Sequence, residues 1–398
     1  MNLLLLIVSS LFANSEYPVD ILPDAPGYVY QQLQQDFTKD DSPVIKQAIL
    51  AGNKNLNWLK YMNETRAADD QIALTKPGEL TSYPIESPSI YNEKIIGDRY
   101  NAILAEIPAV MREIIFGNAP MTREPGLELS EYIVWAKKVD RVYQSANRWR
   151  LLLPNIDYYE MNSFRDVRGY YMLGKVENLS DKLNHFSDLD TETQALYKKH
   201  LAGMCSNASQ AASTCNRQLR DAISRNIVNS FYQTYLPYSK KLWDSFFKIV
   251  PSRRDINWTS ANPDVAVVPV RNTTPEIEEF LRVNIEDEWK WNDWHLRLNF
   301  TRNAAIHVEF QPNVTPHVSN SNTIVMDKNT PLTEWDVMWT IRHEFGHTLG
   351  FKDCYVEFYD AEAEAMVNYQ LDVTNMMCSR AGTMQEAHYL EMKSVYLK

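Results

Sequence analysis

Hydrophobic residues in the first part of the chain follow the spacing of amphipathic helices. Between residues 130 and 149, apolar side chains recur every three or four positions, and no proline interrupts the run. Pro43, which follows a serine, is typical of the first turn of a helix, and Gly52 is predicted to end that helix. Residues 26–250 are therefore predicted to be mainly α-helical.

The pattern changes near residue 251, where short runs of alternating apolar residues begin. Four strands are predicted, at residues 264–270, 295–300, 304–310 and 322–327. A helix from Pro275 to about Trp291 separates the first strand from the other three. Thr383 and Glu386 have the spacing of a capping box, which predicts the start of a last helix.

The length and composition are those of a globular protein with two domains. The 398 residues, 44% hydrophobic and 23% charged, can form two sizeable cores. We predict an α+β fold in which a mainly α-helical domain, residues 15–250, precedes a domain with a small twisted sheet, residues 251–398. The net charge of −11 and the pI near 5.3 argue against nucleic acid or an anionic membrane as a partner.

The N-terminal segment has the character of a signal peptide. Residues 2–12 are apolar, too few to span a bilayer, and small residues follow near Ala13. Residues 1–14 are therefore predicted to be removed on secretion, and no other stretch is apolar enough to be a membrane helix. The role of the helical domain stays open between a propeptide, a substrate-binding domain and a surface-attachment domain. Arginines and tyrosines near Arg165 fit a groove, and an amphipathic helix surface explains them equally well.

Four cysteines fall into two local pairs, Cys205 with Cys215 and Cys354 with Cys378. Their even number, local spacing and signal-like N-terminus predict two disulfides formed in an oxidising compartment. Residues 192–204 and 218–235 are predicted to form a helical hairpin that the first disulfide closes. We therefore expect a secreted protein, either extracellular or periplasmic.

The stretch from residue 334 to residue 351 combines a helical pattern with a candidate metal site. Thr333 with Asp336 predicts the start of this helix. Its apolar residues recur at spacings of three and four, at Met338, Ile341, Phe345 and Leu349. This stripe lies roughly opposite His343 and His347, which share one face of the helix because they are four residues apart. One face is suited to a core and the other to an ion.

The motif HExxHxxGxxD in this stretch supplies the groups that a catalytic zinc ion needs. His343 and His347 offer two imidazoles, and two imidazoles with one more ligand and a position for water are typical of catalytic zinc. Asp353 is the predicted third ligand, because Gly350 can adopt a left-handed conformation that ends the helix and turns the chain back. Glu344 is the predicted general base, acting on the zinc-bound water.

A glutamate from a later helix is the alternative third ligand, as in zinc peptidases of the thermolysin type. Glu357, Glu362 and Glu364 follow the motif, and the segment that holds the last two can be helical. They lie closer to the second histidine than that class of peptidase requires, so the aspartate is favoured. His307 and His388 lack ligand spacing and are interpreted as hydrogen-bonded core or surface histidines.

These residues resemble the metzincin clan of zinc endopeptidases, in the variant where aspartate replaces the usual third histidine. That variant is similar to the snapalysin group of secreted bacterial proteases. The resemblance implies a methionine turn beneath the metal, for which Met377 is favoured and Met376 is the alternative. It also implies that Cys354 and Cys378 lie close together below the metal. Ser379 stands where some relatives have a tyrosine that assists the zinc.

The predicted function is hydrolysis of peptide bonds in a protein or peptide substrate, with Zn²⁺ as cofactor and Glu344 as general base. The resemblance implies that an extended substrate adds to a sheet edge near residues 314–327. An inert zinc-containing binding or structural protein is an alternative of another class, although the intact Glu344 argues against it. A zinc hydrolase acting on another polymer, such as cell-wall peptide, is a further alternative.

Overall fold

The computed structural model describes residues 42–67, 70–74, 83–312, 314, 316–330, 332 and 335–398. The predicted signal peptide, residues 1–14, lies outside this range, and so does Thr333, which was predicted to cap a helix. The described residues form a mixed α+β fold with three small sheets. This confirms the predicted fold class.

Helices dominate the part of the chain before residue 250, as predicted. They are α1 (Pro43–Asn63), α2 (Glu93–Glu106), α3 (Ala109–Ile115), α4 (Leu129–Leu152), α5 (Ile156–Met161), α6 (Arg168–Gly174), α7 (Leu179–Asn184), α8 (Thr191–Ser206), α9 (Ala212–Ser224) and α10 (Val228–Ser245). A 3₁₀ turn at Asn162–Arg165 follows α5. Among the described helices, none has the length and apolar character needed to cross a membrane.

Helix α1 continues to Asn63 and does not end at Gly52, so that prediction was wrong. Gly52 is buried against helix α4, where an added Cβ atom would lie 2.2 Å from the Cβ atom of Tyr143. Gly52 therefore allows helices α1 and α4 to pack closely, and it does not end a helix.

The first disulfide joins the end of α8 to the start of α9, through Cys205 and Cys215. The predicted hairpin partner at residues 218–235 is divided between α9 and α10. Asn226 between them has a φ of 54°, which interrupts the helical run. The disulfide is therefore present as predicted, but it closes two arms of a three-helix group.

The strands predicted after residue 251 are present and are mostly parallel. The strands of the fold are β1 (Ser89–Tyr91), β2 (Asn257–Thr259), β3 (Asn262–Arg271), β4 (Lys290–Trp291), β5 (Trp294–Thr301), β6 (His307–Gln311), β7 (His317–Ser319), β8 (Thr323–Asp327), β9 (Tyr355–Asp360) and β10 (Ala365–Gln370). Strand β3 is parallel to β5, and β6 is parallel to β8, while β7 pairs antiparallel with the other side of β8. A parallel bridge between Val270 and Ile306 links the two groups of strands.

The helix after β3 is shorter than predicted. Helix α11 (Pro275–Leu281) continues only as a π-helical turn, Arg282–Glu286. Trp291 was predicted to lie near the end of this helix, but it pairs with Trp294 in the β4–β5 hairpin. The helix therefore ends earlier than the sequence pattern predicts, because Trp291 is paired in a strand.

The last helix, α13 (Glu386–Tyr396), is capped by a different pair from the predicted Thr383 and Glu386. The Gln385 side chain accepts from the His388 backbone, and His388 Nδ1 accepts in return from the Gln385 backbone N–H at 3.0 Å. Thr383 lies outside the helix because its backbone forms a bridge with Asn375.

The third sheet joins the two predicted domains and was not predicted. Strand β1 pairs antiparallel with β10, which pairs antiparallel with β9. Arg148 of α4 also contacts Glu357 of β9, with 2.8 Å between Nε and Oε1, and both side chains are at most 5% exposed. These contacts join the segments on either side of residue 250. They do not mark a boundary there, so the division into two domains stays a prediction.

Candidate metal centre

Helix α12 (Trp335–Thr348) has one face in the core and another at the candidate site. Ile341, Phe345 and Leu349 are buried in a hydrophobic cluster with the strands, and Met338 packs against that cluster. This confirms the predicted apolar stripe. The two motif histidines lie on the other face of the helix, where they meet Asp353.

Gly350 turns the chain from the helix towards Asp353. Its φ of +91° lies in the left-handed region that glycine adopts without strain, as predicted. An added Cβ atom at this position would also lie 2.3 Å from the carbonyl oxygen of Pro251. The Val250 N–H donates to the Gly350 carbonyl at 2.9 Å, so the turn is fixed against the segment that precedes β2.

Three candidate ligand atoms meet in a nearly equilateral triangle. His343 Nε2 and His347 Nε2 are 3.2 Å apart, and each is 3.3 Å from Asp353 Oδ1. The His343 side chain is buried, and those of His347 and Asp353 are 12% and 18% exposed. Together the three residues can hold a metal ion, and they are the three ligands predicted from the motif.

Each imidazole is held through its Nδ1 atom by a backbone carbonyl. His343 Nδ1 lies 2.6 Å from the Met376 oxygen, and His347 Nδ1 lies 3.0 Å from the Phe351 oxygen. Because a carbonyl only accepts, the neutral rings carry their protons on Nδ1 and have lone pairs on Nε2. Three acceptor atoms then face one another, which is unfavourable unless a cation lies among them.

The charge of Asp353 suits a cation in the same way. Burial raises the pKa of its carboxyl, but His347 and His343 lower it further when they carry positive charge, so the pKa lies well below its ordinary value. A metal ion bound to the neutral rings would supply positive charge at the same place. Asp353 is therefore ionised at neutral pH. Its anionic oxygen and the two imidazole nitrogens form a set of ligand atoms that divalent transition metals prefer.

Glu344, which directly follows His343 in the sequence, is fully buried. Among the residues that the structure describes, neither of its carboxylate oxygens has a hydrogen-bond partner. A buried carboxylate without partners costs several kcal/mol, because it loses its hydration and gains nothing in exchange. Groups of this kind are found where a protein uses them in catalysis or to bind an ion or a water molecule.

The segment around Met377 packs against helix α12. The Met377 sulfur packs against Gly346, where an added Cβ atom would lie 2.3 Å from it. The preceding residue, Met376, supplies the carbonyl that holds His343. Asn375 fixes the turn, since its Oδ1 accepts from the Met377 N–H at 2.8 Å. The side chain of Met377 and the backbone of Met376 thus have separate contacts with the helix.

A disulfide joins this turn to the third candidate ligand. Cys354 follows Asp353, Cys378 follows Met377, and the two cysteines are bonded, as predicted. The Cys354 N–H also donates to the Met377 carbonyl at 3.1 Å. Both the histidine face and the aspartate are therefore tied to one turn.

The alternative ligands lie in other environments. The segment around Glu362 and Glu364 is a turn between β9 and β10, whereas the thermolysin-type alternative needed a helix there. Glu357 is paired with Arg148. His307 contacts Glu309 and the Ala305 carbonyl.

His388 is buried and bonded to Gln385 and to Asn375 Oδ1. The interpretation of both His307 and His388 as hydrogen-bonded histidines is confirmed.

A cleft of about 360 Å³ opens beside His347 and Asp353. Part of its lining comes from α5 and the turn after it, including Tyr158, Asn162 and Arg165. Sequence analysis identified no metal ligand or catalytic residue in this helical part, and it interpreted the arginines and tyrosines near Arg165 either as a groove or as an amphipathic helix surface. The helical part therefore forms a wall of the cleft beside the candidate metal site.

The chemistry of the centre rests on this chain's own geometry. The described residues supply two imidazoles of fixed tautomer, an ionised aspartate and a buried carboxylate with no partner. Comparison of the chain with protein-family models, with curated proteins and with solved structures gives no match.

Proposed function

We propose that the protein is a zinc-dependent endopeptidase that uses Glu344 as its general base. The observation that carries the proposal is the triangle of three acceptor atoms at 3.2–3.3 Å, made by His343, His347 and Asp353. Glu344 directly follows His343, and its buried carboxylate has no hydrogen-bond partner among the described residues, which makes it the candidate for the second requirement, a general base.

The dimensions of the triangle support zinc as the ion. In a tetrahedral site with bonds of about 2.0–2.1 Å, neighbouring ligand atoms lie about 3.3–3.4 Å apart. Octahedral coordination at Mg²⁺ distances of about 2.0–2.1 Å brings neighbours to about 2.9 Å, and Mg²⁺ prefers oxygen ligands. Two nitrogens, one oxygen and the observed spacing therefore favour zinc. His343, His347 and Asp353 would hold it.

Each residue has a defined part in peptide hydrolysis. A bound zinc ion polarises the scissile carbonyl and makes the attacking water more acidic. Glu344 accepts a proton from that water as its oxygen attacks the carbonyl carbon, and then delivers the proton to the leaving amine. The carbonyls of Met376 and Phe351 keep both imidazoles in the tautomer and orientation that this requires.

Strand β7 is suited to hold an extended peptide. It lies at the edge of its sheet, with one side paired to β8 in the described part of the chain, and Val318 lines the cleft. An exposed strand edge can bind a substrate by adding it as a further strand. This agrees with the substrate edge expected near residues 314–327.

The arrangement of elements supports the metzincin resemblance. Parallel strands with an antiparallel edge strand precede the metal-binding helix, and the segment at Met376 and Met377 lies beneath its histidines. We assign Met377 to the methionine turn, because its side chain packs against Gly346. We also propose that the protein is secreted. The signal-like N-terminus and the two disulfides support this.

Metal analysis and a casein digestion assay on the full chain test the proposal. Wild-type protein is expected to bind one zinc ion and to lose its activity to a chelator. Glu344→Gln should keep the zinc and lose nearly all turnover, whereas His343→Ala and His347→Ala should lose the zinc. A wild-type protein that binds zinc and cleaves no protein substrate would support the inert alternative.

A further inference from the structure

Two cations border the cleft beside the candidate metal site. Arg165 belongs to the turn after α5, and Lys352 precedes Asp353. The Arg165 guanidinium lies 5.2 Å from the centre of the Phe246 ring, and Lys352 is exposed. Among the residues that the structure describes, neither cation has a carboxylate within ion-pair distance. Both charges are thus available to a molecule in the cleft.

The acidic residues of the cleft are already engaged. Asp353 belongs to the ligand triangle. Glu357 lies with both oxygens against the Arg148 guanidinium, and its Oε1 also accepts from the Tyr91 hydroxyl at 3.1 Å. Neither carboxylate is therefore free to neutralise Arg165 or Lys352, and the cleft presents positive charge.

The positive charge of the cleft is opposite in sign to the net charge of the chain. The net charge of −11 repels anions at a distance. An anion that binds here must be held by contacts within the cleft, since the long-range field opposes it. Arginine and lysine suit a carboxylate, because their charge-assisted hydrogen bonds are stronger than neutral ones. Tyr158 and Tyr355 give the cleft aromatic walls.

We propose that this cleft is a specificity site for a carboxylate of the peptide substrate, bound by Arg165 and Lys352. This inference rests on the proposed peptidase function and specifies its substrate class. The carboxylate comes from an aspartate or glutamate side chain near the scissile bond, which fits an endopeptidase, or from the C-terminus of the substrate chain, which would make the enzyme a carboxypeptidase. In either case the helical part of the protein contributes directly to substrate choice through Arg165.

Peptide binding measured without metal tests the inference separately from peptidase activity. Fluorescein-labelled heptapeptides with blocked ends would carry a single glutamate in place of glutamine at each position in turn. One further peptide would have glutamine throughout and a free C-terminal carboxylate. Fluorescence anisotropy on the chelator-treated full chain should show about tenfold tighter binding of one of these peptides than of the blocked all-glutamine peptide. Its identity distinguishes a side-chain carboxylate from a chain terminus.

Charge-matched variants separate the cleft from the general surface. Arg165→Met with Lys352→Met is expected to reduce the tenfold preference to less than twofold. Arg217→Met with Lys241→Met removes two exposed charges outside the cleft lining and should keep the preference. Near-ultraviolet circular dichroism checks folding, and the two single variants replace the double variant if it does not fold.

Binding of all peptides within twofold of one another by the wild-type chain would overturn the inference. A preference that persists without Arg165 and Lys352 would overturn it as well. Failure of the peptidase proposal would appear separately, as an absence of casein cleavage by the zinc-loaded protein.

Discussion

Truncation of Arg148 to alanine would test the contact that joins helix α4 to strand β9. The Arg148 and Glu357 side chains are 5% and 4% exposed. Without the arginine, the partners of Glu357 among the described residues would be the Tyr91 hydroxyl at 3.1 Å and the Asn368 amide at 3.4 Å. Removing one partner of a buried ion pair costs about 3–5 kcal/mol, because the remaining charge stays desolvated. The unfolding equilibrium is expected to shift by roughly 100- to 5,000-fold.

Urea denaturation followed by tryptophan fluorescence measures this loss. Arg141→Ala is the matched control, since Arg141 is an exposed arginine on the same helix, and its free energy of unfolding should change by about 0.5 kcal/mol or less. Arg148→Met combined with Glu357→Leu removes both charges and should recover most of the stability. A loss below about 1 kcal/mol for Arg148→Ala, or a double variant no more stable than the single one, would refute the reasoning.

Three further predictions concern the candidate site and its support. Asp353→Ala should lose zinc in a metal analysis while Glu362→Ala keeps it; the reverse result would move the third ligand to the glutamate. Gly350→Ala should destabilise the fold by several kcal/mol and weaken zinc retention, because its φ is +91° and its Cβ would meet the Pro251 carbonyl. The control Gly203→Ala, with open space around its Cβ in helix α8, should change stability by about 1 kcal/mol or less, in the favourable direction. Burial lowers the pKa of His388 to about 4, whereas the unfolded value is near 6.5. The unfolded state therefore takes up the proton first, so stability present at pH 7 should fall by about 3 kcal/mol as the pH drops from 6.5 to 4. Urea midpoints across this range should fall less steeply in His388→Gln; an identical pH dependence would contradict the assignment.

The triangle of candidate ligands, His343, His347 and Asp353, was predictable because the sequence features that specify it are local. His343 and His347 share a helix face by spacing alone, and Gly350 permits one turn that returns the chain to Asp353. Both disulfides also close short segments, of 10 and 24 residues. Chemistry encoded within a few turns of chain can be inferred without knowing the rest of the fold.

Features that depend on distant partners were not predictable. Glu357 was a candidate ligand by sequence, but its partner Arg148 lies 209 residues earlier. Strand β1 was missed because its partner, β10, lies far along the chain, where Ser89 pairs with Asn368. Gly52 was misinterpreted because its contact, Tyr143, belongs to another helix. In each case the deciding contact was tertiary and left no periodic pattern in the sequence.

The pairing of β1 with β10 has a consequence for any shortened form of the protein. Residues 89–91 cover one edge of β10, whose sequence AMVNYQ has no charge and no proline. A fragment that begins at residue 251 would leave this edge open, with its N–H and C=O groups ready to pair with another molecule. Uncharged strands without proline are prone to cross-β association. Such a fragment is expected to aggregate, and supplying residues 83–91 as a separate peptide should restore its solubility.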